Sequence, residues 1–284
     1  MRRLGAAALC LCAAALAAGC DSPFPPGSLV ERLRALGVRA EPPEAGLDGA
    51  VQLSALIADP QGAGRPLSFE WAVCLSALSY QAADIDCPGP EGYALPADGE
   101  GARLSVPDLL AYLSAHPPEG FEDWTGAGTS LEYFPLLVGL RAGAGGEVVR
   151  AIKRVRLRLA TEAPLNTNPR LVGLWLNEAE LTAPARVAAG AKVVLQARVD
   201  PLSREQYRRQ GESEERVEDV VFAWFATGGE FEDDYTVLSG DGANGLDRNR
   251  WTAPDGPGEV RLWVVARDGR FGEDWLERTI EVGP

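Results

Sequence analysis

Few residues in this chain have the types and spacing that chemistry needs. The single histidine, His116, stands before Pro117-Pro118 at the end of a predicted helix, where it reads as an exposed loop residue and not as the base of a Ser-His-Asp arrangement. No G-x-S-x-G elbow, H-E-x-x-H pair, P-loop or strand-borne G-x-G-x-x-G occurs. Paired carboxylates for glycoside cleavage are defined by a separation in space that a sequence does not carry. The reading is therefore of a protein that is not an enzyme. Metal ligation has little support either. Glu232, Asp233 and Asp234 are adjacent instead of being spaced as in a calcium loop, and Asp241 to Gly245 lacks the D-x-[DN]-x-[DN]-G order. Asp59 and Asp200 each precede a proline, where a turn accounts for them. No metal and no cofactor are expected.

The cysteines say more. Arg2 and Arg3 precede an almost unbroken apolar run from Leu4 to Leu16, and Ala17-Ala18-Gly19-Cys20 supplies small residues at a cleavage point. The run is short for a membrane span. The segment resembles a bacterial lipoprotein signal, although Leu16 lies one position earlier than the commonest pattern. That resemblance implies a diacylglyceryl group on the Cys20 thiol and cleavage that leaves Cys20 as the first residue. Ordinary secretory cleavage near Ala18 and an uncleaved anchor are the alternatives. Cys10 and Cys12 leave with the signal, so Cys74 and Cys87 remain in an oxidising compartment and predict one disulfide. It would close a loop of about a dozen residues and contribute ~3 kcal/mol.

Charge narrows the partners. The formal net charge is −14, and loss of Arg2 and Arg3 with the signal takes it to −16. Such a surface repels phosphate backbones, so no nucleic-acid partner is expected. After Cys20 no apolar run is long enough to cross a bilayer, which leaves the lipid as the expected membrane tether.

The chain repeats itself. Val51-Gln52-Leu53-Ser54-Ala55, Asp59-Pro60 and Phe69-Glu70-Trp71 recur in order as Val193 to Ala197, Asp200-Pro201 and Phe222-Ala223-Trp224. Leu136 to Glu147 aligns without a gap on Leu262 to Glu273, and Leu36-Gly37-Val38 answers Val172-Gly173-Leu174. Alternation of Val51, Leu53, Ala55 and Ile57, and of Leu195, Ala197 and Val199, predicts strands with one buried face. In the hairpins 136–157 and 260–282, the glycines of R-x-G-x-x-G are expected to supply positive φ at tight turns. The fold class read from this is all-β, two tandem β-sandwiches.

These residues resemble bacterial Ig-like and PKD-like modules of surface and periplasmic proteins. The resemblance rests on the strand ending in Asp-Pro, the F-x-W strand, Trp251-Thr252-Ala253-Pro254, and the strand Val260 to Arg267 with its Asp268-Gly269 turn. It covers roughly residues 30–160 and 169–283, implies that Trp71 and Trp224 pack between the sheets, and assigns no ligand. The organisation that follows is a signal peptide (1–19), a lipidated Cys20 with a Pro-rich tether (20–29), a first Ig-like domain (30–160), a linker (161–168) and a second Ig-like domain (169–284). The tether would hold the first domain off the membrane, and the short polar linker predicts limited bending. Leu29, Val30, Leu33 and Leu36 favour an opening strand over a helical turn.

The first domain carries a long insertion (75–131) with a short helix expected from Pro107 to Ala115. Its Tyr80, Tyr93, Phe121 and Trp124 are candidates for a binding surface, and the same rings, with Tyr112, would also serve a small core under so long an insertion. In the second domain, Leu202 to Asp219 reads as a solvated charged loop or short helix. Taken together, the chain reads as a lipid-anchored cell-envelope protein, at a periplasmic face or the cell surface, that binds or supports an envelope protein or a glycan. A carbohydrate-binding or adhesive module and an accessory subunit of a secretion or motility complex are the alternatives.

Overall fold

The computed structural model describes residues 26–284 except 63, 76–86, 88, 90–91, 118–132, 160–163, 209–212 and 241–246. The first half contains β1 (Arg34–Glu41), β2 (Glu44–Gly46), β3 (Ala50–Ala58), β4 (Ser68–Val73), β5 (Tyr93–Ala94), β6 (Ala97–Asp98), β7 (Gly101–Ser105), helix α1 (Val106–Ala115), β8 (Tyr133–Ala144) and β9 (Glu147–Arg158). They form a sandwich of two sheets, β1-β3-β7-β6 and β2-β9-β8-β4-β5, called module 1 below.

The second half contains β10 (Leu171–Leu176), β11 (Ala179–Glu180), β12 (Ala185–Ala188), β13 (Lys192–Val199), β14 (Gln206–Arg208), β15 (Glu215–Val217), β16 (Val220–Ala226), β17 (Glu230–Phe231), β18 (Tyr235–Leu238), β19 (Arg248–Thr252), β20 (Gly258–Asp268) and β21 (Glu273–Gly283). Its sheets, β11-β10-β13-β19-β17 and β12-β21-β20-β16-β18, repeat the order of module 1 with β11 added and make module 2. The chain is thus two tandem Ig-like β-sandwiches.

The repeated motifs fall on equivalent strands. Val51 and Leu53 of β3, like Val193 and Leu195 of β13, point into the cores, as the alternation requires. Trp71 and Trp224 are buried between their sheets, and the Trp224 indole N–H donates to Thr236 Oγ1 at 2.9 Å. Both first strands carry an irregularity in register at the paired glycines, Gly37 and Gly173. Helix α1 starts where Ser105 accepts a hydrogen bond from the Asp108 N–H, and it buries Leu109 and Leu113 against module 1.

The ungapped alignment of the two hairpins holds only as far as Arg141 and Arg267. Arg141 pairs with Arg150, and the ladder runs on to Ala144–Glu147 around a two-residue turn in which Gly145 and Gly146 have φ of 55° and 89°. Arg267 pairs directly with Glu273, which leaves a five-residue loop from Asp268 to Gly272. There the positive φ belongs to Phe271, at 80°, and not to a glycine. The Asp268 carboxylate organises this loop by accepting from the N–H groups of Arg270 and Gly272, both at 2.7 Å. Glu273 therefore occupies the place of Arg150 and not of Glu147. Residues 202–219 also depart from expectation, because β14 and β15 pair as a hairpin.

The N-terminal arm crosses between modules before β1 begins. Val30 N–H donates to Ala226 O and Ala226 N–H to Ser28 O, so the arm lies beside β16 of module 2, with Val30 and Leu33 buried. The strand expected from Leu29 to Leu36 is thus an extended arm followed by β1.

Candidate functional site

The insertion of module 1 supplies only part of the aromatic surface read from the sequence. Tyr80, Phe121 and Trp124 lie outside the described residues, as does Cys20. Tyr93 is half-buried in β5 against the core, with the Tyr112 ring 4.8 Å away, and Tyr112 stacks in turn on His116 at 4.6 Å. Tyr93 and Tyr112 thus act as core at the helix flank. The Cys74–Cys87 disulfide is formed, with Cα atoms 5.6 Å apart. Cys87 lies over the outer face of β8 at Gly139, where a Cβ would come within 2.6 Å of the sulfur. The bridge therefore pins the insertion onto the sheet face itself.

The chemistry of the molecule is concentrated elsewhere, in the seam between modules. One part is apolar: Leu36, Leu56 and Ala58 of module 1, with Val30 of the arm, pack on Phe225, Trp263 and Val265 and on Trp275. These face outward from the β21-β20-β16 sheet, whose inner faces are already spent on the core of module 2. The other part is charged. Glu44, Lys153, Asn166, Glu218, Asp268, Arg270 and Glu273 are all buried there. Burying charges is costly unless they are paired, and here the pairing is dense.

Arg270, on the five-residue loop, is the hub. Its guanidinium lies 2.9 Å from Glu205, 3.1 Å from Glu218 and 3.6 Å from Glu44, and sits over the Tyr207 ring at 5.2 Å. Glu205 and Glu218 flank the β14–β15 hairpin, so Arg270 holds that hairpin at its base. Glu44 also takes Arg158 at 2.5 Å and the backbone N–H of Asn166 at 2.9 Å. A second set joins the modules directly. Lys153 of β9 reaches Glu273 at 3.1 Å, Arg39 reaches Asp274 at 2.9 Å, and Asn168 donates to the carbonyl of Ala40 at 2.8 Å. Phe271 is gripped by Arg154 and Arg156, whose guanidinium carbons are 4.8 and 4.9 Å from its ring centre.

Burial leaves its mark on the protonation of this seam. Desolvation pushes the Glu218 carboxyl up to about 7, and the hydrogen bond from the Glu205 N–H, followed by Arg270, only partly offsets it. Desolvation likewise lowers the Lys153 ammonium pKa, against the attraction of Glu273. A carboxyl near 7 suits acid–base work, but Glu218 is 1% exposed, so substrate has no access to it while the hairpin is in place. What the arrangement does is fix one module on the other. The linker expected to bend is instead wedged: Asn166 is fully buried, and Asn168 bonds module 1 through Ala40 and module 2 through the N–H of Glu273.

Sequence reasoning missed this seam. One signal was available, since Lys153 interrupts the inward-facing series Val149, Ala151, Val155 and Leu157 of β9. Nothing local marks Glu44 or Arg270. The predicted turns at Asp59 and Asp200 are present, because Asp59 takes Arg65 through both oxygens and the Asp200 side chain accepts from Leu202 N–H.

No family model and no curated protein matches the chain. Among solved structures it is similar to the D00-D0 domain of intimin, with 12% identity over 87% of this chain and 100% of that one and a TM-score of 0.26. The fibronectin(III)-like modules of Clostridium thermocellum CbhA match with 12% identity over 87% of this chain and 94% of that one, at a TM-score of 0.24. The N-terminal Ig1-2 module of the Drosophila receptor protein tyrosine phosphatase DLAR matches with 10% identity over 89% and 100%, at 0.26. At these TM-scores the likenesses carry no argument about module arrangement or activity.

Proposed function

We propose that this protein is a lipid-anchored, non-catalytic component of the cell envelope whose two sandwiches work as one rigid binding or structural unit. The observation that carries the reading is the seam. Its buried carboxylates are engaged by arginine, lysine or backbone N–H groups, so the ionisable groups that could do chemistry serve to hold module to module. The lipid anchor rests on the Cys20 segment of the sequence.

The arm refines how the unit would sit. Pro26 lies six residues after Cys20, a reach of ~20 Å, and the arm then runs along β16 of module 2. An acylated Cys20 would keep the seam, and with it both modules, close to the bilayer, in place of a first domain standing off on a spacer.

Intact mass and membrane fractionation of the native protein beside Cys20→Ala test the anchor. Acylation at Cys20, with membrane association lost in the variant, is expected; an unmodified and soluble native protein refutes it. Turnover of a glycan or peptide that a single carboxylate substitution abolishes would refute the non-catalytic reading.

A further inference from the structure

We propose that the β14–β15 hairpin is a proton-controlled latch on the module seam, shut while the Glu218 carboxyl is neutral and released as a unit when it ionises. The inference goes beyond the binding role given above and holds whether or not Cys20 is acylated. The hairpin belongs to module 2, since the described residues between β3 and β4, the equivalent strands of module 1, form none. β14 and β15 pair with each other and with no other described strand. Gln206, Arg208, Glu215 and Arg216 are exposed, and Tyr207 and Val217 are only half-buried. A two-stranded hairpin by itself is marginal in water, and the exposed Arg208–Glu215 pair adds little. What holds this one is its base, where Glu205 and Glu218 meet Arg270 and the Tyr207 ring lies under the same guanidinium.

The charges around that base disfavour an ionised Glu218. Its cation, Arg270, is shared with Glu205 and Glu44. Arg204 also faces the base, but its guanidinium is spent on the carbonyls of Glu218 and Ser239. From module 1, Arg158 is matched to Glu44, and Arg156 lies over Tyr133 and Phe271. Asp219, the next residue along, is exposed and accepts from the Gly240 N–H. Burial first, and then Asp268 of the five-residue loop and Glu205 across the hairpin, push the Glu218 carboxyl up to about 7. With the hairpin released, the carboxyl regains water and its ordinary value of 4.5. A value raised in the closed form means that closure is fully supported below about 4.5, loses support as pH rises through about 7, and changes little beyond. Between pH 5.5 and 7.5 the opening equilibrium should therefore rise about twentyfold. The Lys153–Glu273 and Arg39–Asp274 pairs lie outside the hairpin, so the modules stay locked while it opens.

The test is amide hydrogen exchange of the whole chain from Cys20, with rates at each pH divided by the intrinsic rate of an unprotected amide. Protection of the Glu205 and Glu218 amides, which bond across the hairpin base, should be about twentyfold lower at pH 7.5 than at pH 5.5. The Val30 amide, bonded to Ala226 O, and the Glu273 amide, bonded to Asn168, should keep their protection. Glu218→Gln, neutral at every pH, should hold the hairpin equally at both. The wild type decides the matter even if that variant folds poorly, because its loss of protection must level off above about pH 8 and reverse on return to pH 5.5. Equal protection at the two pH values, or greater protection at the higher one, would overturn the proposal. So would a pH dependence that survives in Glu218→Gln, or a parallel loss at Val30 and Glu273, which would mean that the seam opens as a whole.

Discussion

Replacing Arg270 by methionine should destabilise the protein by an amount that depends on pH. The side chain is buried and holds three carboxylates, but the three would not suffer equally. Glu44 keeps Arg158 and the Asn166 N–H, and Glu205 keeps a hydrogen bond from the Thr167 hydroxyl at 2.6 Å. Among the described residues, Glu218 would keep the Glu205 backbone N–H, at 3.1 Å, and lose its ion pair with Arg270. Removing one partner of a buried pair costs about 3–5 kcal/mol, because the remaining charge stays desolvated. Glu218 has a way out, since its carboxyl already titrates at about 7 and loss of Arg270 pushes it higher. At pH 8 the variant must bury a charge or take up a proton against the solution, so the loss should approach 3–5 kcal/mol. At pH 5.5 Glu218 is already neutral, and the loss should fall toward that of a neutral hydrogen bond with some packing, about 1–2 kcal/mol. Urea unfolding of the wild type and Arg270→Met at both pH values, followed by tryptophan fluorescence, measures the difference. Equal losses at the two pH values, or a loss below about 1 kcal/mol at pH 8, would refute the reasoning.

Other consequences are simpler to state. Glu218 has a folded-state pKa raised above the ordinary carboxylate value, so its stabilising contribution is fully present below about 4.5 and is lost as pH rises through about 7; Glu218→Gln should flatten the pH dependence of unfolding between pH 5 and 8. Gly37→Ala places a Cβ 2.6 Å from the Glu273 carboxylate, and pushing that group away from Lys153 should cost about 1–3 kcal/mol in denaturant unfolding. Replacing Cys74 and Cys87 together by alanine should lower stability by about 3 kcal/mol and increase hydrogen exchange around Gly139, where Cys87 sits. If the insertion is adhesive, Trp124→Ala should abolish binding on a glycan array without changing the melting curve; no binding by the native chain would remove that alternative.

Much of each sandwich was legible because its signals are local. Alternation in β3 and β13 shows which face is buried, Ser105 three residues before Asp108 caps α1, and two nearby cysteines, after a segment that reads as an export signal, predict their own bridge. Where local signals were ambiguous, the reading slipped. Asp268-Gly269-Arg270-Phe271-Gly272 looks like a glycine turn, yet the Asp268 carboxylate builds a longer loop and shifts the register of β21 by three residues relative to β9. Residues 202–219 look like a solvated charged stretch because their composition does not reveal that Glu205 and Glu218 meet on one buried arginine.

By itself the sequence determined two copies of one sandwich, the strands that build them and the disulfide. Strand periodicity and turn chemistry act over a few residues, so they can be read along a chain. Only the tertiary structure decided that the copies are locked together. Lys153 meets Glu273 across 120 residues and Arg267 meets Leu36 across 231. A charge becomes a structural clamp through the loss of its water and the approach of a partner, and neither is a property of its neighbours in sequence.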